Sequence, residues 1–282
     1  MPDAVELARA VLEFSAGVDL MLSTECPDHV AAHFPEARRL VRQIEAIVHA
    51  SSVKVEYFDT SKERYLHYFA AALSLGTSAR TLEIGAAPGH VSIGLHLAGF
   101  ASVGLNLNEL WRATYPSPEW LSKLDVREHD VEGQPLPFPD RSFDCAFFTE
   151  VLEHVAISDP SSILKEICRV LVPGGLLILS TPNVCNVSNI LALATGKNVF
   201  WPVELFYGSL DRHNREYTPQ EVRLVVERSG FSIGAFYGIN DHNNWRTGAS
   251  ELAYTVIAEL GDKHPLLRNT ILCLATTRAS RV

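Results

Sequence analysis

Thr81-Leu82-Glu83-Ile84-Gly85-Ala86-Ala87-Pro88-Gly89-His90 is the stretch that decides the fold. An apolar run closes on an acid, a glycine follows, a second glycine comes four positions later, and a helical pattern begins. A strand that stops at a glycine-rich turn feeding a helix is the cofactor cradle of doubly wound α/β proteins. The two glycines let the backbone approach a ligand with no Cβ in the way. Ala87 stands where the dinucleotide fingerprint G-x-G-x-x-G places the glycine that makes room for a pyrophosphate. With the Glu83 carboxylate kept, the turn suits a cationic, phosphate-free cofactor. Taken alone, the segment also fits a tight strand-to-helix turn that binds nothing.

Outward from this turn, strand and helix patterns alternate, which predicts a doubly wound, mostly parallel sheet of seven strands. Strands are expected at Arg80 to Ile84, Ser102 to Leu107, Lys123 to His129, Phe143 to Thr149, Leu176 to Ser180, Phe231 to Tyr237 and Ile271 to Thr276. Between them lie a helix from His90 to Ala98 ended by Gly99 and one from Asp159 to Leu171, with Asp159 as N-cap and Pro160 at the first helical position. Helices are also expected at Val187 to Ala194, at Ala249 to Leu260, and after Thr218-Pro219-Gln220-Glu221, a capping box. Residues 1–78 read as a helical extension, a lid or substrate region, from apolar positions at helical spacing such as Val5 to Phe14, Ala37 to Val48 and Tyr65 to Leu73. Residues 79–282 form the α/β domain, with 181–217 and 241–269 as lid or acceptor insertions, because loops this long are usually functional.

Composition narrows the partners. The chain has 282 residues, 47% of them hydrophobic, and a formal net charge of -9 from 24 basic and 33 acidic side chains. That field disfavours nucleic acid and anionic membrane. The five cysteines are scattered and lack a C-x-x-C pair, which reads as core residues in a reducing compartment. No secretory leader pattern is seen at the start and no apolar run reaches membrane length, so a cytoplasmic protein is expected.

The glycine turn resembles the first motif of the class I S-adenosylmethionine (SAM) methyltransferases. Leu136-Pro137-Phe138-Pro139-Asp140-Arg141-Ser142-Phe143-Asp144, followed by Thr149-Glu150-Val151-Leu152-Glu153-His154-Val155, resembles that family's fourth strand and its exit, in order and correctly spaced. Pro173-Gly174-Gly175, Ser180-Thr181-Pro182-Asn183 and His213-Asn214-Arg215-Glu216-Tyr217-Thr218 continue the likeness, which covers residues 78 to 240 or so. The resemblance implies SAM as cofactor, S-adenosylhomocysteine as product, and a binding set of Glu83, Gly85, Ala86, Gly89, Asn106, Leu107, Asp130, Val131, Thr149 and Glu150. Glu83 orders the turn or receives the cofactor's amino group. Asp130 accepts from the adenine amino group and the amide of Val131 approaches the ring. Asn106 departs from the pattern, since the family carries Asp or Glu there for the ribose hydroxyls. An amide still accepts from one hydroxyl and donates to the other, without the charge.

The activity implied is methyl transfer to a small-molecule acceptor, a hydroxyl of a natural product or sugar. Methyl transfer at nitrogen or carbon, or a binding protein without turnover, are the alternatives. An NAD-dependent oxidoreductase is disfavoured by Ala87 and Asn106. A hydroxyl acceptor gains from a base, and His154 and His213 are the candidates, because imidazole titrates near neutrality. A backbone-bonding role for His154 and a loop-closing role for His213 compete with this. Tyr57, Phe58, Tyr65 and Tyr68 either line an apolar acceptor pocket or pack as core. Asp241 and His242 are too few ligands for a metal, and none is expected. The oligomeric state is not legible.

Overall fold

In the computed structural model the chain forms one seven-stranded sheet flanked by helices. The structure describes residues 25–156, 159–207, 212–240, 261 and 267–278. In chain order the strands are β1 (Arg80–Ile84), β2 (Ala101–Asn106), β3 (Asp125–Glu128), β4 (Phe143–Thr149), β5 (Leu171–Pro182), β6 (Phe231–Ile239) and β7 (Thr270–Thr277). Their order across the sheet is β3-β2-β1-β4-β5-β7-β6, and all neighbours are parallel except β7, which runs antiparallel to both β5 and β6. The order reverses between β1 and β4, so a crevice opens at their carboxyl ends, where ligands of open α/β sheets bind.

Helices on both faces explain why successive residues of β1 and β4 are buried. Side chains alternate across a strand. Cys145 and Phe147 of β4 therefore enter one core, and Ala146 and Phe148 the other. The first core is completed by Phe34–Ser51 (α1), Val55–Leu73 (α2) and His90–Ala98 (α3), through Ile44, Tyr68, Phe69 and Ile93. The second is completed by Pro160–Val170 (α4) and Pro219–Arg228 (α5), through Ile163, Ile167, Val222 and Val226. The helices before residue 79 thus cover one face of the sheet and share its core.

Local chemistry sets the boundaries. Gly89 and Gly99, both in the left-handed region, bracket α3. Asp159 accepts from the Ser161 amide at the start of α4, and Thr218 with Glu221 forms the capping box of α5. Two expectations are corrected. The third strand is shorter, because Ser117 caps a helix over Pro118–Lys123 that takes the residues before it. The fifth strand begins at Leu171, not Leu176: Phe143 pairs with Leu171 and Cys145 with Leu176, so the Pro-Gly-Gly segment bulges within a continuing strand. The expected helices near Val5 and over Ala249 to Leu260 lie outside the described residues.

α3 meets the N-terminal helices at Gly94, where an added Cβ would lie 2.2 Å from Phe69 Cζ and 3.0 Å from Ile44 Cδ1. Phe69 is buried and cannot yield. Gly94→Ala gains about 1 kcal/mol of helix propensity, but overpacking costs of ~1–3 kcal/mol outweigh it. Urea unfolding should show a lowered midpoint; a raised one would mean that the helical extension does not pack on α3 in solution.

Candidate active site

The turn after β1 is built for close approach. Gly85 and Gly89 have φ of 74° and 88°. A Cβ on Gly85 would meet Val151 Cγ2 at 2.4 Å, and one on Gly89 would meet the Tyr115 ring at 2.4 Å. The amides of Gly85 and Ala86 both donate to the carbonyl of Leu105, at 2.9 and 3.0 Å, which ties the turn to β2. Glu83 is buried and accepts a hydrogen bond from Ser92 of α3. Burial pushes its pKa up to about 8, only partly countered by the Ser92 hydrogen bonds. It fastens the strand to the helix beneath the turn.

Asn106, at the end of β2, is likewise buried. Its Oδ1 accepts from the Ala87 amide at 2.8 Å, and its Nδ2 donates to the Tyr115 hydroxyl at 3.1 Å. Both ends of the amide engage the protein, and Tyr115 shares the place expected of Asn106 alone. Leu107 follows as an exposed side chain. Asp130 is exposed and accepts from the Glu132 amide at 2.9 Å in an Asx turn, while Val131 packs against the second core. These residues stand at or just beyond the carboxyl ends of β2 and β3.

On the other side, Thr149 ends β4 paired with Ser180 of β5. Glu150 follows with φ of 55°. This conformation is uncommon outside glycine, and it turns the carboxylate back into the protein. Glu150 accepts from Arg64 of α2 and from Ser180 Oγ at 2.6 Å. Ser180 also meets the Tyr68 hydroxyl, and Arg64 is further braced by Ser61. Arg64 and Glu150 are buried, with side chains 5% and 12% exposed. Phe58, Tyr65 and Tyr68 are buried packing residues, leaving Tyr57 half-exposed.

His154 and His213 do come together. The chain after β4 makes a tight turn over Leu152–His154. The Glu153 carbonyl accepts from the amides of Asn214 and Arg215 at 2.8 and 3.2 Å, and the His154 carbonyl accepts from Asn214 Nδ2 at 2.7 Å. This places the two imidazoles with centroids 5.0 Å apart, edge to face. His154 Nδ1 lies 2.9 Å from the Arg212 carbonyl and His213 Nδ1 lies 2.9 Å from Glu216. A carbonyl only accepts, and the Glu216 carboxylate also accepts, so each ring donates from Nδ1, and Nε2 is the acceptor nitrogen of the neutral ring. Glu153 is buried and accepts from Thr181 Oγ1 at 2.9 Å. Burial and the nearby Glu150 charge hold its pKa well above the usual carboxylate range.

Several of these partners escaped the sequence reading. Arg64 sits within a helical apolar stripe with no motif around it. Tyr115 directly follows a short 3-10 stretch after β2, Glu109–Thr114. Glu153 and Glu216 lie inside quoted motifs, where only their histidine neighbours drew attention.

Comparison with known proteins gives the class. A profile described as "Methyltransferase domain" matches residues 54–234, more than half of the chain. The chain belongs to this family, the class I methyltransferases, with S-adenosylmethionine as cofactor. Among particular relatives, a ubiquinone biosynthesis O-methyltransferase of Maricaulis maris is 27% identical over 166 residues, 57% of this chain and 62% of that protein. A probable S-adenosylmethionine-dependent methyltransferase of Mycolicibacterium smegmatis is 30% identical over 144 residues, 48% and 47% of the two chains. The chain therefore spans about half to three fifths of the length of these relatives. A SAM-dependent methyltransferase from Archaeoglobus fulgidus has the same fold, with a TM-score of 0.52 at 19% identity, covering 79% of this chain and 94% of that one. The glycine turn suits the cofactor's close approach, because its two positive-φ positions, where a Cβ would strike Val151 or Tyr115, are both glycine.

The position of Glu83 has a measurable consequence. A carboxyl raised from 4.5 to about 8 is protonated in the folded protein while ionised in the unfolded chain between those values. The stability it confers is complete below pH 4.5 and is lost as pH rises to about 8, at up to ~1.4 kcal/mol per pH unit. Glu83→Gln should flatten that component, seen as wild type minus variant in urea unfolding from pH 5 to pH 8. A pH-independent difference would show Glu83 to be ionised in the native state.

Proposed function

We propose that the protein transfers the methyl group of S-adenosylmethionine to a hydroxyl of a small molecule, a natural product or sugar. The cofactor supplies an electrophilic methyl on sulfur with a neutral leaving group, so no acid is needed at the leaving side. The chain's share is to bind, align and dry the reactants and to manage one proton. Gly85, Ala86 and Gly89 would cradle the cofactor's amino-acid part. The Arg64 guanidinium, a buried cation at the same edge, suits its carboxylate. Asn106 with Tyr115 would meet the ribose, and Asp130 and Val131 the adenine. Thr149 and Glu150 would close the β4 side.

The observation that carries the reading is the pair His154 and His213. Each imidazole donates from Nδ1 to an outer acceptor, so Nε2 is the nitrogen that would take up the acceptor's proton. A hydroxyl is the acceptor that needs such a base, and the Maricaulis maris relative carries an O-methyltransferase name. Glu216 would stabilise the His213 imidazolium that forms. A second reading, a binding protein without turnover, draws on Asn106, an uncharged residue whose amide also bonds Ala87 and Tyr115. We read the chain as acting within a cell's reducing interior, since its five cysteines are free. No helix among the described residues is long and apolar enough to cross a membrane.

Calorimetry with SAM and S-adenosylhomocysteine, and NADH as control, is the direct test. Micromolar binding of the adenosyl ligands alone is expected. In a hydroxyl-acceptor screen, His213→Ala should lower kcat by ~10²-fold or more with SAM affinity unchanged, the usual scale of a lost base. Absence of adenosyl binding would overturn the methyltransferase reading in favour of the second one.

A further inference from the structure

Glu153, His154 and His213 do more than sit near one another. One carboxylate oxygen and one nitrogen from each ring lie within 4.8 Å of each other. Glu153 Oε1 is 3.9 Å from His154 Nε2. Two chain segments distant in sequence build this group, and hydrogen bonds from the Asn214 and Arg215 amides to the Glu153 carbonyl and from Asn214 Nδ2 to the His154 carbonyl lock them together.

The surroundings are those of metal ligands. A ligating histidine almost always donates its other ring N–H to a carboxylate or a backbone carbonyl, which fixes the tautomer and aims the lone pair. Both kinds of partner are present: the Arg212 carbonyl behind His154 and the buried Glu216 carboxylate behind His213. Glu153 has its own support, since Oε2 accepts from Thr181. The basic side chains of the same segment are turned elsewhere. Arg212 donates to Asn214 and lies over the Phe206 ring, and Arg215 pairs with Glu221 and lies over Tyr217. A second carboxylate and histidine group, Glu45, His49 and Asp59, makes the contrast: it is more exposed, and Lys62 already bridges Glu45 and Asp59.

We propose that Glu153, His154 and His213 bind a first-row transition-metal dication. Two imidazole nitrogens and one carboxylate oxygen suit zinc, iron, cobalt or manganese; magnesium and calcium take oxygen shells. Three protein ligands leave at least one position open, the arrangement of catalytic rather than structural sites. Donors ~2.1 Å from an ion stand roughly 3.4 Å apart in a tetrahedral shell, so small side-chain rotations close the present spacing. The role of the ion rests on the acceptor-site reading above: it would occupy the two Nε2 positions assigned there to the base and hold the acceptor oxygen itself. The expectation of no metal considered only the adjacent Asp241 and His242, which lie outside the described residues.

The test is chelator-stripped full-length protein titrated with Zn2+ by calorimetry and with Co2+ by visible absorption. One ion per chain at micromolar Kd or tighter is expected, with a Co2+ d–d band. His154→Ala and His213→Ala should abolish the band, and Glu216→Gln should weaken binding by 10- to 100-fold through the lost outer partner. His49→Ala should leave it unchanged. SAM titration of each variant reports whether it is folded; for any variant that fails it, His213→Gln replaces the truncation. No ion bound, or binding indifferent to His154 and His213 but lost in His49→Ala, would overturn the site. Metal binding without SAM binding would keep the site and sink the methyltransferase reading; SAM binding without metal would do the opposite.

Discussion

The ion pair between Arg64 and Glu150 holds the working edge of this molecule together. Its acid comes from the exit of the central strand and its base from a helix packed on the sheet's face, and Ser180 and Tyr68 brace it from β5 and α2. Both charges are largely withdrawn from water. Such a pair adds little net stability over an apolar substitute, yet losing one partner strands a buried charge at a cost of ~3–5 kcal/mol. Its value is therefore in fixing geometry. It sets where the helical layer meets the crevice and, with the left-handed conformation at Glu150, sends the chain into the turn that carries Glu153 and His154.

Much of the frame was legible because it is written in local rules. The glycine turn, Gly99 as a C-cap, Asp159-Pro160 and the Thr218 capping box each act within a few residues, and each appears where its chemistry demands. The alternation of strand and helix patterns announced a sheet covered on both faces. The boundaries that shifted did so where two local signals compete. Ser117-Pro118 claims residues for a helix ahead of β3, and Pro173-Gly174-Gly175, which reads as a turn, is absorbed as a bulge because β4 continues alongside it.

The site was legible by residue type and less so by partnership. His154 and His213 could be named from sequence, but what they do depends on Arg212, Glu216 and Glu153, and hydrogen bonds across distant segments leave no periodic trace. Asn106 shows the same limit from the other side. Its type suggested a ribose contact, whereas its buried amide bridges Ala87 and Tyr115, so the cradle and the end of β2 form one hydrogen-bonded unit. Fold membership supplies the cofactor; the acceptor chemistry must come from such partnerships, because one fold hosts many functions.

The sharing of one core between the N-terminal helices and the sheet bears on how this protein could be recombined. The helix-to-strand boundary near residue 78 looks like a natural joint for exchanging acceptor-recognition segments between relatives. Tyr68, Phe69 and Ile44 pack in the same apolar cluster as Phe147 and Ile178, however, and α2 falls inside the matched family region beginning at residue 54. A chimera spliced at 78 would graft foreign knobs into native holes and separate Arg64 from its acid. A splice upstream, between α1 and α2, where Ser52 and Lys54 turn the chain through the left-handed region, would keep Arg64 with its acid but would still exchange Ile44, which belongs to the same core. Any exchange of this protein's front end should therefore inherit α2 together with the sheet and match the apolar positions of α1 that enter the shared core.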